Sequence, residues 1–166
     1  KIYKPEKVVP AEISYVDVPP PTEGLGNTRG ISGQYLNDLQ GADALLIVVR
    51  AFDDTAVVHV DETVDMFRDV ENMMLELTFS DLDLLERRLQ RLNDGFKGAK
   101  AAERDAMEKE RALLGQIKER LEDGLAIRDQ EFTAEQARRL QGYQFLTSKP
   151  VIVVVNIGED QLDEAE

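Results

Sequence analysis

Five consecutive β-branched residues, Val151-Ile-Val-Val-Val155, constrain this chain more than any other stretch. Lys149-Pro150 leads into them, and proline sets a boundary by lacking a backbone donor. An unbroken apolar run of this length is expected to form a short strand buried on both faces, as in a mostly parallel sheet. Ala44-Leu-Leu-Ile-Val-Val49 is a second run of the same kind. Ligands of open α/β sheets bind beyond the carboxyl ends of the strands. The residues leaving the last run are Asn156 and Glu159, an amide and a carboxylate three apart, suited to the edge of a small planar molecule. Asn-x-Gly is equally ordinary turn chemistry, so both readings stand at this point.

Earlier in the chain, Ala11–Val18 alternates Ile13, Val16 and Val18 with polar residues and is expected to form a strand, ending at Asp17 before Pro19-Pro20-Pro21. Gly24, Gly26, Gly30 and Gly33 make the following stretch a glycine-rich loop. Gln34–Gln40 has the spacing of a short helix burying Tyr35, Leu36 and Leu39. Val57-Val-His-Val60 is a short apolar segment around His59, the sole histidine.

From Thr63 the apolar period becomes helical. Val64, Phe67, Met74, Leu77, Leu82, Leu85, Leu89 and Leu92 mark one face of a helix of about 28 residues, ~42 Å long. Asn93–Gly98, with two glycines, is expected to break it. Ala99–Glu122 repeats the pattern through Ala106, Met107, Leu114, Ile117 and Leu121. Two such helices joined by a short turn predict an antiparallel coiled-coil hairpin. Gly124 stands where a cap glycine belongs, and Thr133-Ala-Glu-Gln136 is a capping box opening a short helix to about Gln141. The expected fold is therefore α/β. A mostly parallel sheet is built from residues 1–60 and 145–166, with residues 61–144 inserted as a helical hairpin.

Charge and composition exclude several functions. The 166 residues carry a net charge of −13, which argues against a general grip on nucleic acid or anionic lipid. Any RNA contact would have to come from a local patch. The absence of cysteine removes disulfides and thiolate chemistry and fits a reducing cytoplasm. No apolar run approaches the ~20 residues of a membrane span. Phe96 and Lys97, at the expected hairpin tip, are the one hint of a docking point.

Three stretches together resemble the YchF, or Obg-like ATPase, family of P-loop NTPases. They are Lys4-Pro5 with Pro10–Asp17, Ala42–Phe52 with Val58-His-Val60 and Val64–Glu71, and Phe145–Pro150 with Asn156-Ile-Gly-Glu159. The resemblance implies a partial P-loop NTPase-type sheet. Its G-x-x-x-x-G-K-[ST] phosphate loop is absent from these residues and is expected before residue 1, with a TGS domain after residue 166. On this view the chain is an internal slice, inactive alone, of a cytoplasmic regulatory protein that binds ATP or GTP with Mg2+ and hydrolyses it slowly. The family is associated with ribosomes, which makes a ribosomal partner an expectation.

The resemblance also assigns roles. Asn156 and Glu159 match the base-reading motif, where glutamate in place of aspartate favours ATP over GTP. Asp17 matches the aspartate that holds magnesium through water. Pro20 stands where that motif has a glycine, removing a backbone donor to the γ-phosphate. Gly24, in Glu23-Gly-Leu-Gly-Asn27, matches the family's downstream glycine-rich run and is assigned to nucleotide binding. His59 matches a candidate catalytic histidine that positions the attacking water. The bland counterparts are a loop-capping aspartate and a strand histidine. The alternative function is a non-catalytic interaction module acting through its hairpin.

Overall fold

The structure is a computed structural model that describes residues 10–18, 31, 33–54 and 63–164. Helix α1 (Gly33–Gly41) leads into strand β1 (Leu45–Arg50). The long helix α2 (Met66–Phe96) and its successor α3 (Ala101–Glu122) follow. Short 3-10 turns flank helix α4 (Ala134–Leu140), and strand β2 (Val151–Asn156) comes last, followed by a 3-10 turn over Glu159–Glu164.

β1 and β2 pair in parallel, in a register that sets Leu45 opposite Val151 and Arg50 opposite Asn156. The two apolar runs thus form neighbouring parallel strands, as expected. Their burial differs from expectation. Leu45, Ile47 and Val49 face α1 and α2, whereas Leu46 and Val48 are 48% and 66% exposed. Ile152 through Val155 are also exposed, at 41–55%. The reason is coverage: among the described residues, helices pack against one face of this two-stranded sheet only. Ala11–Val18 forms no strand; Ile13, Tyr15 and Val16 lie exposed, because alternation makes a strand only where a neighbour supplies a ladder.

Asp65 starts α2, its carboxylate accepting from the backbone N–H of Phe67 and of Arg68 at 3.1 Å each. The helix has 31 residues, and it runs through Asn93-Asp-Gly95 to turn at Lys97-Gly98, later than expected. Gly95 lies where α3 comes close: a Cβ there would sit 3.0 Å from Cε, the movable end of Met107. α3 runs antiparallel to α2, with Arg88 paired to Glu110 at 2.6 Å and Lys118 to Glu86 at 3.2 Å.

Between them lies a core of Leu85, Leu92, Leu114, Ile117 and Leu121, closed at its base by Ile127, Leu140 and Phe145. Leu113 joins this core, while Ala106 and Phe67, expected on the buried stripes, are exposed. Tyr35 likewise points outward from α1. A second core gathers Ile31, Leu45, Ile47, Val49, Leu77 and Leu146 around the sheet. α2 serves both cores, Leu77 in one and Leu85 in the other.

The expected caps are present. Gly124 takes φ +89, which favours glycine, and Thr133 and Gln136 close the box that opens α4.

Candidate functional site

Parallel pairing brings the carboxyl ends of β1 and β2 to one rim, at Arg50 and Asn156. The loops leaving that rim are stitched together. Ala51 N–H donates to the Asn156 carbonyl at 2.8 Å. Gly158 N–H donates to Gln161 Oε1 at 2.9 Å, and Gln161 Nε2 donates to the Ala51 carbonyl at 3.0 Å. Gly158 is closely approached: a Cβ there would meet the movable Asp160 carboxylate and would lie 3.3 Å from Phe52 Cβ. The Arg50 guanidinium stands 5.8 Å from the Phe52 ring centroid on the same rim.

On this framework Asn156 uses its backbone for the sheet and keeps its side chain exposed, without a hydrogen-bond partner among the described residues. Glu159, at the start of the following turn, is exposed and equally unengaged there. A free amide offers one acceptor and two donors, and a carboxylate offers acceptors. This rim can therefore meet the polar edge of a planar ring. The backbone and Gly158 make the turn in Asn156-Ile-Gly-Glu159, and Asn156 and Glu159 are exposed beside it.

Asp17 was expected at the tip of a strand beside these residues; it lies instead in an exposed segment outside the sheet. Among the described residues no three His, Cys, Asp or Glu side chains gather to hold a metal ion, and Asp17 alone does not make a magnesium site. Pro20, Gly24 and His59 lie outside the described residues.

Sequence reading missed the group that positions β2. Asp81 is buried, 1% exposed, and its carboxylate accepts from Leu146 N–H at 2.8 Å. It also accepts from the N–H and the hydroxyl of Thr147 at 2.7 Å each. Burial pushes its carboxyl above the ordinary value, opposed by the bonds from Thr147 and Leu146 and by the charge of Lys149. Lys149 in turn donates to the carbonyls of Gln40 at 2.9 Å and Ala42 at 2.5 Å, closing the C-terminal end of α1. The stretch Phe145–Pro150 is thus a clamp joining α2, α1 and β2. A signal was there: Asp81 sits four residues from both Leu77 and Leu85, on the buried stripe of α2.

No family model matches the chain. It is 33% identical over 162 residues to the ribosome-binding ATPase YchF of Bacillus subtilis, covering 98% of this chain and 43% of that protein. It is 30% identical over 159 residues to Obg-like ATPase 1 of Oryza sativa subsp. indica, covering 96% of this chain and 40% of that protein. The solved structure of the Schizosaccharomyces pombe YchF GTPase superposes with a TM-score of 0.70 at 30% identity, covering 87% of this chain and 39% of that one. The chain spans less than half the length of the curated relatives it matches.

Proposed function

Over the segment that it spans the chain belongs to the YchF and Obg-like ATPase family, and from that premise we propose that it supplies the base-reading rim and the helical arm of a nucleotide-binding regulatory protein. Asn156 carries the proposal: its amide stands free at the carboxyl end of a parallel strand, where α/β sheets take ligands. In the whole protein Asn156 bonds the base edge and Glu159 sets the preference. Glutamate is longer than the aspartate that pairs with guanine, so we assign ATP in preference to GTP. The relatives' names divide on this point, ATPase for the curated proteins and GTPase for the solved structure.

The remaining roles rest on motif correspondence. Asp17 holds Mg2+ through water, Gly24 gives the following loop its freedom, and His59 orients the attacking water. Residues 1–60 and 145–166 form part of the nucleotide domain, and residues 61–144 are its coiled-coil insertion. The chain alone, without a phosphate loop in its sequence, binds nucleotide weakly and does not turn it over. The whole protein hydrolyses ATP slowly and works in the cytoplasm on the ribosome, the partner that its relatives' names carry.

Calorimetric titration of ATP and GTP into the full-length protein tests this reading. Tighter ATP binding, with Glu159→Asp moving the preference toward GTP, supports it; GTP preference in the wild type overturns it. A second reading, a non-catalytic module working through the hairpin, draws on the separate core between α2 and α3. Partner binding without any nucleotide turnover in the full-length protein would favour it.

A further inference from the structure

A single side chain ties the two loops that leave the sheet rim. Gln161 Oε1 accepts from Gly158 N–H at 2.9 Å, and Gln161 Nε2 donates to the Ala51 carbonyl at 3.0 Å. The Gln161 backbone N–H also donates to the Gly158 carbonyl at 3.1 Å, so Gln161 holds Gly158 at both its N–H and its C=O. Ala51 N–H in turn donates to the Asn156 carbonyl at 2.8 Å. These bonds close a circuit. It runs from Asn156 to Ala51, from Ala51 to the Gln161 amide, from that amide to Gly158, and back along the chain through Ile157. Asn156 is a member of the circuit, and Glu159 is the next residue after Gly158. Gln161 belongs to neither hydrophobic core, so its bonds serve the loops rather than the packing of the helices.

The tie needs a donor and an acceptor at the end of one stem, which a glutamine amide supplies. A carboxylate would set an acceptor against the Ala51 carbonyl, and an apolar side chain would offer neither group. We propose that Gln161 is a positioning residue for base recognition: through this circuit it fixes where Asn156 and Glu159 stand relative to each other, and thereby the discrimination between ATP and GTP. The role rests on Asn156 and Glu159 reading the base, as proposed for the full-length protein. Two groups that meet one planar edge together bind it best when their spacing is set beforehand, since a slack turn must first be ordered. A slack turn also lets Glu159 adjust to either base, so selectivity falls along with affinity.

Calorimetric titration of ATP and of GTP into the full-length protein tests it, with wild type beside Gln161→Met, Gln161→Glu, Glu110→Gln and Asn156→Ala. Gln161→Met loses both ends of the tie at similar length, whereas Gln161→Glu keeps the acceptor for Gly158 and loses the donor to Ala51. Glu110→Gln is the control, since it weakens bonds to Arg88 and Tyr143 and touches neither loop of the rim. Melting temperatures show that each variant is folded. The ratio of ATP to GTP affinity should move about fivefold closer to one in both Gln161 variants, the equivalent of one ordinary hydrogen bond, and hold in Glu110→Gln. KM for ATP should rise while kcat holds. Amide exchange at Gly158 should accelerate in Gln161→Met. Equal losses of ATP and GTP affinity, an unchanged ratio in folded Gln161 variants, the same change in Glu110→Gln, or a wild type with no preference would each overturn the role. The two failures are separable. If Asn156→Ala leaves affinity untouched, the base-reading rim itself fails; if it weakens ATP while the Gln161 variants keep the ratio, the role of Gln161 alone falls. In a wild type that prefers GTP, narrowing of that preference by both Gln161 variants supports the role and removes only the ATP assignment.

Discussion

Asp81 and Thr147, 66 residues apart in the chain, are joined twice: one carboxylate oxygen lies 2.7 Å from both the backbone nitrogen and the hydroxyl of Thr147. This places the foot of β2 against the middle of α2. The same stretch is held from the other side by Lys149 on the end of α1. The candidate rim at Asn156 is therefore set by contacts at the opposite end of its strand.

Asp81→Asn replaces one acceptor oxygen by a donor facing N–H and O–H groups that also donate. The expected cost is about 2 kcal/mol at pH 7, read from urea denaturation. Thr147→Val, which keeps the backbone bond and loses only the hydroxyl, is expected to cost about half as much.

The stability difference between wild type and Asp81→Asn should also depend on pH. Burial raises the Asp81 carboxyl above 3.8 in the folded chain. Between 3.8 and that raised value the folded chain holds a proton the unfolded chain has released. The wild type's advantage over Asp81→Asn therefore falls as pH climbs through this window and is flat above it. Denaturation midpoints of both proteins across pH 3.5–8, roughly the range that brackets such a carboxyl, check the sign.

Lys149→Met removes the hydrogen bonds to the carbonyls of Gln40, in the last turn of α1, and of Ala42, just beyond it, while keeping most of the length of the side chain. A loss of roughly 1–2 kcal/mol is expected, with amide exchange accelerating first in residues 33–41. Uniform acceleration along the whole chain would contradict a local clamp.

Glu110, on α3, links α2 to the turn before β2, accepting from Arg88 Nε at 2.7 Å and from the Tyr143 hydroxyl. Burial, then the Glu110 bond, raises Tyr143 above the ordinary phenol value. Glu110→Gln should bring its titration, followed by ultraviolet absorbance, back toward 10.

Much of this was legible from local patterns. β-branched runs marked β1 and β2, leucine spacing marked α2 and α3, and Thr133, Gln136 and Gly124 marked helix ends. What failed depended on distant neighbours. Ala11–Val18 alternates as a strand does, but alternation cannot supply a pairing partner. The run Val151–Val155 specifies a strand without saying what covers it. The place of Asp81 on the buried stripe hints at burial, but its partners lie 65 and 66 residues away and leave no local trace. At the site, Asn156 and Glu159 came from spacing and resemblance, whereas Gln161, which ties the two loops, carried no local signal.

The most direct test is calorimetric titration of ATP into the full-length protein, wild type beside Asn156→Ala. With its side chain exposed and unbonded among the described residues, Asn156 contributes little to folding, so the melting temperature should hold. ATP affinity should fall at least tenfold, about 1.4 kcal/mol. Unchanged ATP affinity in a folded Asn156→Ala protein would contradict the assignment of this rim to the base.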